Sequence, residues 1–436
     1  MSHYIETKKM VINGGECYIP SSKPETQRAL IVSSLADGDS HIHNPLDCLE
    51  TQVMRNALCN IGSEVARVEN LWQIRGNKGN IRYNNKVIQC LGSGLVFRVM
   101  TALTCFSDRP VIITGDSSLR PRVMSQLFDS LKFLGAKIDC LAEADKAPIV
   151  NWGNGIKGGD CVLPGNVSSQ FITALLFAAP FASDGTQIKI TDEILSKSYI
   201  RQTMHFMKLS GIDVSHSDEL DVINVKPGLY KPINVEISAD MTSASYLLAI
   251  ATLFSGNYIF HNVHSSSMQG EKYFVEIIKE LGIEVRFIDN ENTMYVSNNL
   301  SKLSGNYSFD VSDCPNIIPT LAALGAYVEG SFSVTGGSIT TKHKSNRIHA
   351  MITELVKIGV DIKPLFKNEV YDGFTIHGKS NYNGGVTLSS WGDHRVFMSL
   401  FIASMRMKGP NKIDGYADVI CSFPSFFDEI NKLNIE

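Results

Sequence analysis

Six stretches of the chain share one order of apolar and polar positions. They are "SKPETQRALIVSSLADGDSHIHN" from Ser22, "GSGLVFRVMTALTCFSDRPVIITG" from Gly92 and "SSQFITALLFAAPFASDGTQIKIT" from Ser168. The other three are "TSASYLLAIATLFSGNYIFHN" from Thr242, "PNIIPTLAALGAYVEGSFSVTGG" from Pro315 and "GDHRVFMSLFIASMRMKGPNKIDG" from Gly392. Each opens on small or polar residues and runs into a near-continuous apolar segment of helical length. A polar or glycine break then leads to a short alternating strand. The starts recur every ~70 to 77 residues, the spacing of a repeated supersecondary unit.

A second element keeps step with the first: "MRNALCNIGSEV", "LFDSLKFLGAKI", "HFMKLSGIDV", "FVEIIKELGIEV", "ITELVKIGVDI" and the terminal "FFDEINKLNIE". Most of these read as an amphipathic helix that stops at a glycine, where a left-handed C-cap is accessible, followed by a strand. The first helix of each unit is apolar nearly all round and belongs inside its domain. At 436 residues the chain exceeds what one hydrophobic core usually serves. The pattern predicts an α/β protein of two domains, each of three units with buried helices wrapped by short sheets.

Composition narrows the partners. With 44% hydrophobic and 19% charged residues, a formal net charge of −4 and an isoelectric point of about 6.3, the chain reads as soluble and globular. No basic stripe interleaved with aromatics appears, so nucleic acid is not an expected partner. The N-terminus "MSHYIETKKMVINGGECYIP" lacks an apolar signal core, and no run approaches the roughly 18 apolar residues of a membrane span. A cytoplasmic, membrane-independent protein is expected, as a monomer. Nine cysteines, with no C-x-x-C pair, fit reduced thiols better than a disulfide framework or a zinc site. Cys17, Cys59, Cys105 and Cys161 sit among apolar residues and read as inert buried thiols.

Chemistry is expected where the buried helices open, because helix N-termini present N–H groups and the positive end of a dipole to anions. Collected at those openings are Lys23 and Arg28; Ser168, Ser169 and Gln170; Asp240 and Ser243; Asp393 and Arg395. The turns before the second helices add Arg120 and Arg122 in "TGDSSLRPRVM". They also add Lys342, His343, Lys344 and Arg347 in "TTKHKSNRIHAM". Any one of these could be a cap or a solvated charge. Recurrence at equivalent points of six units favours a small, multiply charged anionic ligand.

At these residues the chain resembles the EPSP synthase family, the 3-phosphoshikimate 1-carboxyvinyltransferases, with the UDP-N-acetylglucosamine enolpyruvyl transferases as a sister group. "SSKPETQRALIVSSLADG" is similar to the family's Pro-Gly-Ser-Lys-Ser-x-Ser-x-Arg-Ala opening, and "TGDSSLRPRVMSQLFDSLKFLGA" to its Thr-Gly-Asp-x-Ser-Leu-x-x-Arg-Pro-Met segment. "SSQFITALLFAAP", "SKSYIRQT", "SASYLLA", "SSMQGEKYF" and "DHRVFMSL" extend the likeness over nearly the whole chain. The resemblance implies two inside-out α/β barrels of three repeated units each. Residues 1–20 plus 238–436 would form one domain and 21–237 the other, with the active site in the cleft between them. It also implies transfer of the enolpyruvyl group of phosphoenolpyruvate to an acceptor hydroxyl, normally that of 3-phosphoshikimate, with no cofactor and no metal.

Phosphoenolpyruvate carries a carboxylate and a phosphate, which suits bidentate arginines. By resemblance Lys23, Arg122, Arg347 and Arg395 grip it, and Gln170 bridges both ligands. Arg28 meets the acceptor carboxylate, Ser168 and Ser169 its phosphate, and Tyr199 closes over it. Protonation of the methylene carbon, addition of the acceptor oxygen and expulsion of phosphate require an acid, a base and preorganised positive charge.

In the same segments the sequence departs from the family it resembles. His343 stands where the family has a Lys and Lys344 where it has a Glu. Asn316 stands where the family has the Asp that takes the acceptor proton, and an amide is no such base. Pro24 replaces a phosphate-binding Ser, Gly92 and Leu95 replace an Asn and a Thr, and Cys421 replaces a Lys. Three readings stay open. The chain is an EPSP synthase using substitutes, with His343, Lys342 or Lys344 as acid and Asp310 or Asp313 as base beside Asn316. Alternatively it is an enolpyruvyl transferase retuned to another cyclitol or sugar acceptor, or a non-catalytic anion-binding homologue.

Overall fold

The computed structural model describes residues 4–84 and 86–435. Along them run six helix pairs. In the N-terminal half these are α1 (Lys23–Leu35) with α2 (Leu49–Cys59), α3 (Gly94–Leu103) with α4 (Ser125–Phe133), and α5 (Ser169–Ala178) with α6 (Lys197–Leu209). In the C-terminal half they are α7 (Met241–Leu253) with α8 (Tyr273–Glu280), α9 (Ile318–Gly325) with α10 (Arg347–Lys357), and α11 (His394–Ser404) with α12 (Phe426–Asn431). The first helix of each pair is the buried one, as its all-round apolar pattern predicts. Every residue of α7, α9 and α11 is buried. Covering a single Leu, Ile or Phe side chain is worth about 1.5–3 kcal/mol, so these helices anchor the cores. The second helices bury one face only, and all but α12 end near glycines with positive φ, as at Gly282 (91°) and Gly359 (86°).

The buried helix is a crossover between two parallel strands. Leu303–Asp310 and Val328–Thr335 pair in parallel on either side of α9, from Leu303 opposite Val328 to Asp310 opposite Thr335. Gly159–Pro164 and Thr186–Thr191 do the same around α5. A parallel pair needs a long crossover connection, and here the helix that makes it sits beneath a small sheet whose remaining strands return antiparallel.

The chain divides into two compact units, Met1–Ser21 with Ser238–Glu436, and Ser22–Ile237. Each has its own hydrophobic core: Phe260, Phe274 and Phe332 lie in the first, and Trp72, Phe97 and Phe128 in the second. The first repeat of each unit has no strand of its own before its buried helix. In one unit Ile12–Tyr18 supplies it, parallel to Gly256–His261, where Gly14 passes so close that a Cβ would lie 2.4 Å from the Asn257 carbonyl oxygen. In the other, Asn234–Glu236 lies parallel to Asp39–His43. Both borrowed strands immediately precede a crossing of the chain from one unit to the other. Ser21 forms an isolated antiparallel bridge with Ala239. Among the described residues no helix is long and apolar enough to cross a membrane.

Candidate functional site

In the Ser22–Ile237 unit, the residues collected from the sequence sit at the openings of α1, α3 and α5. Ser22 caps α1 by accepting the Glu25 N–H at 3.3 Å, and Pro24 occupies the first turn, where its missing N–H costs no helical bond. Lys23 is buried, and its ammonium donates to Glu50 Oε2 at 3.0 Å. Arg28, one turn on, is also buried. It donates from Nε to Thr203 Oγ1, and from its terminal nitrogens to the carbonyls of Pro24 and Tyr199, each at 3.0 Å, while lying 5.6 Å from the Tyr199 ring centre. These bonds tie α1 to α6 and fix the guanidinium in one place.

At α5, Ser168 caps the helix by accepting the Gln170 N–H at 3.3 Å, and Ser169 is buried beside it. The Gln170 side-chain oxygen accepts from Arg98, a residue of α3 that the sequence reading passed over. Arg98 also lies 4.9 Å from the Phe171 ring centre. Arg122, held from Nε on the Ser118 carbonyl at 3.1 Å, comes to the same place. What makes room is Gly94, the first residue of α3. A Cβ there would stand 2.5 Å from one Arg98 nitrogen, 3.2 Å from one of Arg122 and 3.3 Å from the Gln170 oxygen. Desolvation, and then the like charge of Arg122, push the Arg98 guanidinium below its ordinary value. Two cations crowded on a neutral amide stabilise each other poorly, and an anion between them would relieve both. Arg120, by contrast, is exposed and donates to the Gly115 carbonyl.

In the other unit Arg347 is held by a carboxylate. Asp393, wholly buried, caps α11 by accepting the Arg395 N–H at 2.9 Å and accepts Arg347 Nε at 2.8 Å. Burial alone would raise its carboxyl pKa. Arg347, then His394 and the hydrogen bonds outweigh that and hold it well below the usual carboxylate range. Arg347 also donates to the Asn316 side-chain oxygen at 2.9 Å, and the Asn316 amide donates onward to Glu271 at 3.2 Å. Asn316 thus joins a cation to a buried anion, a task for which one acceptor and one donor are both needed. Tyr246 packs beside Arg395, and desolvation pushes its hydroxyl up to about 12.

In the segment 340–347 the side chains part company. Lys342 is exposed and His343 half-buried, and Lys344 donates to the Cys421 sulfur at 3.7 Å. Asp310 is exposed and accepts the Ser312 N–H, Asp313 is half-buried, and Asn316 contacts the carboxylate of Glu271. Arg98 had a signal in the sequence, as the lone charge in an apolar helix one turn after a glycine. Glu50 and Glu271 had none. Among the described residues no group of three or more His, Cys, Asp or Glu side chains is placed to hold a metal ion. Cys17, Cys105 and Cys161 are buried and pushed up to about 12 by desolvation, which keeps these thiols protonated and unreactive.

The family model of EPSP synthase (3-phosphoshikimate 1-carboxyvinyltransferase) matches residues 9–430. A 3-phosphoshikimate 1-carboxyvinyltransferase of Methanococcus maripaludis is 33% identical over 423 residues, covering 96% of each chain. One of Methanosarcina mazei is 34% identical over 421 residues, covering 96% of this chain and 95% of its own. The solved EPSP synthase of Acinetobacter baumannii superposes with a TM-score of 0.82 at 22% identity over 99% of this chain and 98% of its own, a likeness of fold. The match across nearly the full length, at this identity, places the chain in the EPSP synthase family.

Proposed function

We propose that the protein transfers the enolpyruvyl group of phosphoenolpyruvate to the 5-hydroxyl of 3-phosphoshikimate, giving 5-enolpyruvylshikimate 3-phosphate and phosphate. The observation that carries this reading is the meeting of Arg98, Arg122 and Gln170 over the side-chain-free Gly94. That arrangement suits a small, doubly anionic group that needs close approach to the backbone. Arg347, whose guanidinium is held on Asp393, and Arg395, whose backbone N–H Asp393 caps, supply the second pair of guanidiniums. In this reading Lys23, Arg122, Arg347 and Arg395 hold phosphoenolpyruvate, with Gln170 shared between the ligands. Arg28 and Tyr199 meet the acceptor ring and its carboxylate, and Ser168 and Ser169 its phosphate.

The chemistry follows from where charge develops. A proton added to the methylene carbon leaves cationic character on the adjacent carbon, the acceptor oxygen attacks there, and the adduct expels phosphate. Cations fixed before reaction stabilise the leaving phosphate without reorganising. The test is phosphate release from phosphoenolpyruvate with 3-phosphoshikimate, with shikimate and with no acceptor. Release with 3-phosphoshikimate alone is expected, and silence in all three arms overturns the reading. Arg122→Ala should weaken phosphoenolpyruvate binding by about 100-fold or more in a calorimetric titration. Unchanged affinity removes Arg122 from the site.

A further inference from the structure

A cavity of about 370 Å³ lies at the far ends of α7 and α11, in the unit of Met1–Ser21 with Ser238–Glu436. Its walls come from residues 9–13, the end of α7, the segment 298–303 and Arg406. Asp393 and Arg395 stand at the opening of α11 and Arg406 follows its last turn, so about 16 Å of helix separates them. The Met10 N–H donates to the Met405 carbonyl at 2.8 Å and pins the 9–13 segment beside Arg406. The Arg406 guanidinium is half-buried, 5.9 Å from the Phe254 ring centre and 5.1 Å from that of Tyr327. It donates to the Leu253 carbonyl at 2.8 Å, at the C-terminal end of α7. That end asks little more of it, because Asn298 donates to the carbonyls of Ala251, Thr252 and Phe254. Among the described residues Leu253 is the one acceptor of Arg406, so most of its five N–H groups are left for a ligand.

We propose that this cavity binds a small organic carboxylate with an apolar body, the carboxylate on Arg406 and the body against the apolar wall. The wall has both characters that such a ligand needs. Met10, Leu300 and Leu303 are apolar, Lys9 and Lys302 add cations at the rim, and no Asp or Glu is among the described residues that line it. Lys302 is shared with Glu329 at 2.8 Å, and Lys9 is exposed. A guanidinium stacked on rings keeps its in-plane N–H groups for a ligand, and a carboxylate takes two of them at once. Burial pushes Arg406 below its ordinary value, with Tyr327 opposing the fall, and an anion would relieve that desolvation. The site is separate from the phosphoenolpyruvate residues and does not depend on the reaction proposed for them.

Benzoate is the probe, titrated calorimetrically into the full chain in its parent form and as Arg122→Ala, with benzamide and inorganic phosphate as comparison arms. Benzoate should bind both proteins alike, with a dissociation constant of about 1 mM or below. Benzamide has the ring without the charge and phosphate the charge without the ring, so each should bind at least about tenfold more weakly. Arg406→Gln keeps a donor for the Leu253 carbonyl and should weaken benzoate by about tenfold or more. Ser301 lines the cavity from an exposed position, so Ser301→Glu adds a repelling charge while sparing the core. It should weaken benzoate by about threefold or more, and Ser301→Lys should tighten it. This pair keeps the test decisive if Arg406→Gln folds poorly. Benzoate affinity that falls with Arg122→Ala and ignores both Ser301 variants assigns the binding to the phosphoenolpyruvate residues and overturns the proposal. Benzamide or phosphate binding as tightly as benzoate overturns it too, as does a benzoate dissociation constant above about 10 mM in the parent.

Discussion

The two units hold their hydrogen-bonded site arginines by different means, although Lys23 of the Ser22–Ile237 unit also rests on a carboxylate, that of Glu50. In the Ser22–Ile237 unit Arg28, Arg98 and Arg122 rest on hydroxyl, carbonyl and amide oxygens, and Arg98 and Arg122 repel each other. In the other, Arg347 is locked on the fully buried Asp393 and linked through Asn316 to Glu271. Neutral partners position a guanidinium and leave its charge for the ligand. Carboxylates neutralise it, so that it serves the fold as well. Of the departures read from the sequence, Asn316, His343, Lys344 and Cys421 lie in the unit of Met1–Ser21 with Ser238–Glu436, and Pro24, Gly92 and Leu95 lie in the Ser22–Ile237 unit.

The largest effect should come from breaking the balance at Asp393. Asp393→Asn keeps an acceptor for the helix cap and removes only the charge, leaving Arg347 buried without its counter-ion. A loss of about 3–5 kcal/mol in urea unfolding is expected. Because the folded pKa of Asp393 lies below its unfolded value, its contribution is present above about pH 4 and is lost as pH falls further towards the folded pKa. The variant should lack that part of the acid-side slope. Arg122→Ala is the counterpart in the other unit, and there removal of a repelled cation should change stability by less than about 1 kcal/mol while weakening phosphoenolpyruvate binding by about 100-fold or more. Equal destabilisation by the two variants would erase the contrast.

A smaller effect sharpens the same point at Asn316. Asn316→Asp keeps the size of the side chain, yet it sets a new carboxylate about 3.2 Å from Glu271. Two carboxyls that close cannot both ionise, so one takes up a proton in the folded state and its pKa rises. The folded protein then binds more protons than the unfolded chain, and stability falls as pH rises above about 4. The thermal midpoint of the variant should drop relative to the parent between pH 5 and pH 8, by an amount equivalent to about 1–3 kcal/mol. Adding Glu271→Gln should abolish the drop. A variant whose midpoint follows the parent at both pH values would show that Glu271 does not press on position 316.

What the sequence made legible follows from what repeats. Buried helices such as α7 and α9 are written in uninterrupted apolar runs, and glycines such as Gly282 and Gly359 mark where their partners stop. The cap residues Ser168 and Asp393 stand at the helix openings where capping chemistry places them. The borrowed strands were half legible: Ile12–Tyr18 alternates weakly, and only pairing with Gly256–His261 explains it. Illegible were the partners chosen by tertiary contact. Nothing in "QGEK" marks Glu271 as the carboxylate next to Asn316, and nothing in "ICSFP" shows Cys421 meeting Lys344. Side chains distant in sequence declare their pairing only when the fold closes.

The gentlest probe of the contrast is Gly94→Ala. The added methyl would meet Arg98 at 2.5 Å, but the clash is with the far end of a flexible side chain, which can swing away at little cost. Stability should therefore change by less than about 1 kcal/mol, since Ala also suits a helical position better than Gly. What should change is the anion site. Arg98 can yield only by releasing Gln170, and the methyl occupies space that a ligand approaching the backbone would need. A roughly tenfold rise in the dissociation constant for phosphoenolpyruvate is expected, with the affinity for 3-phosphoshikimate held within about threefold. Equal weakening of both ligands would mean that Gly94 shapes the whole unit and not the meeting point of the two arginines. An unaltered phosphoenolpyruvate affinity would place that ligand away from Arg98 and Arg122, and the comparison between the units would then concern folding alone.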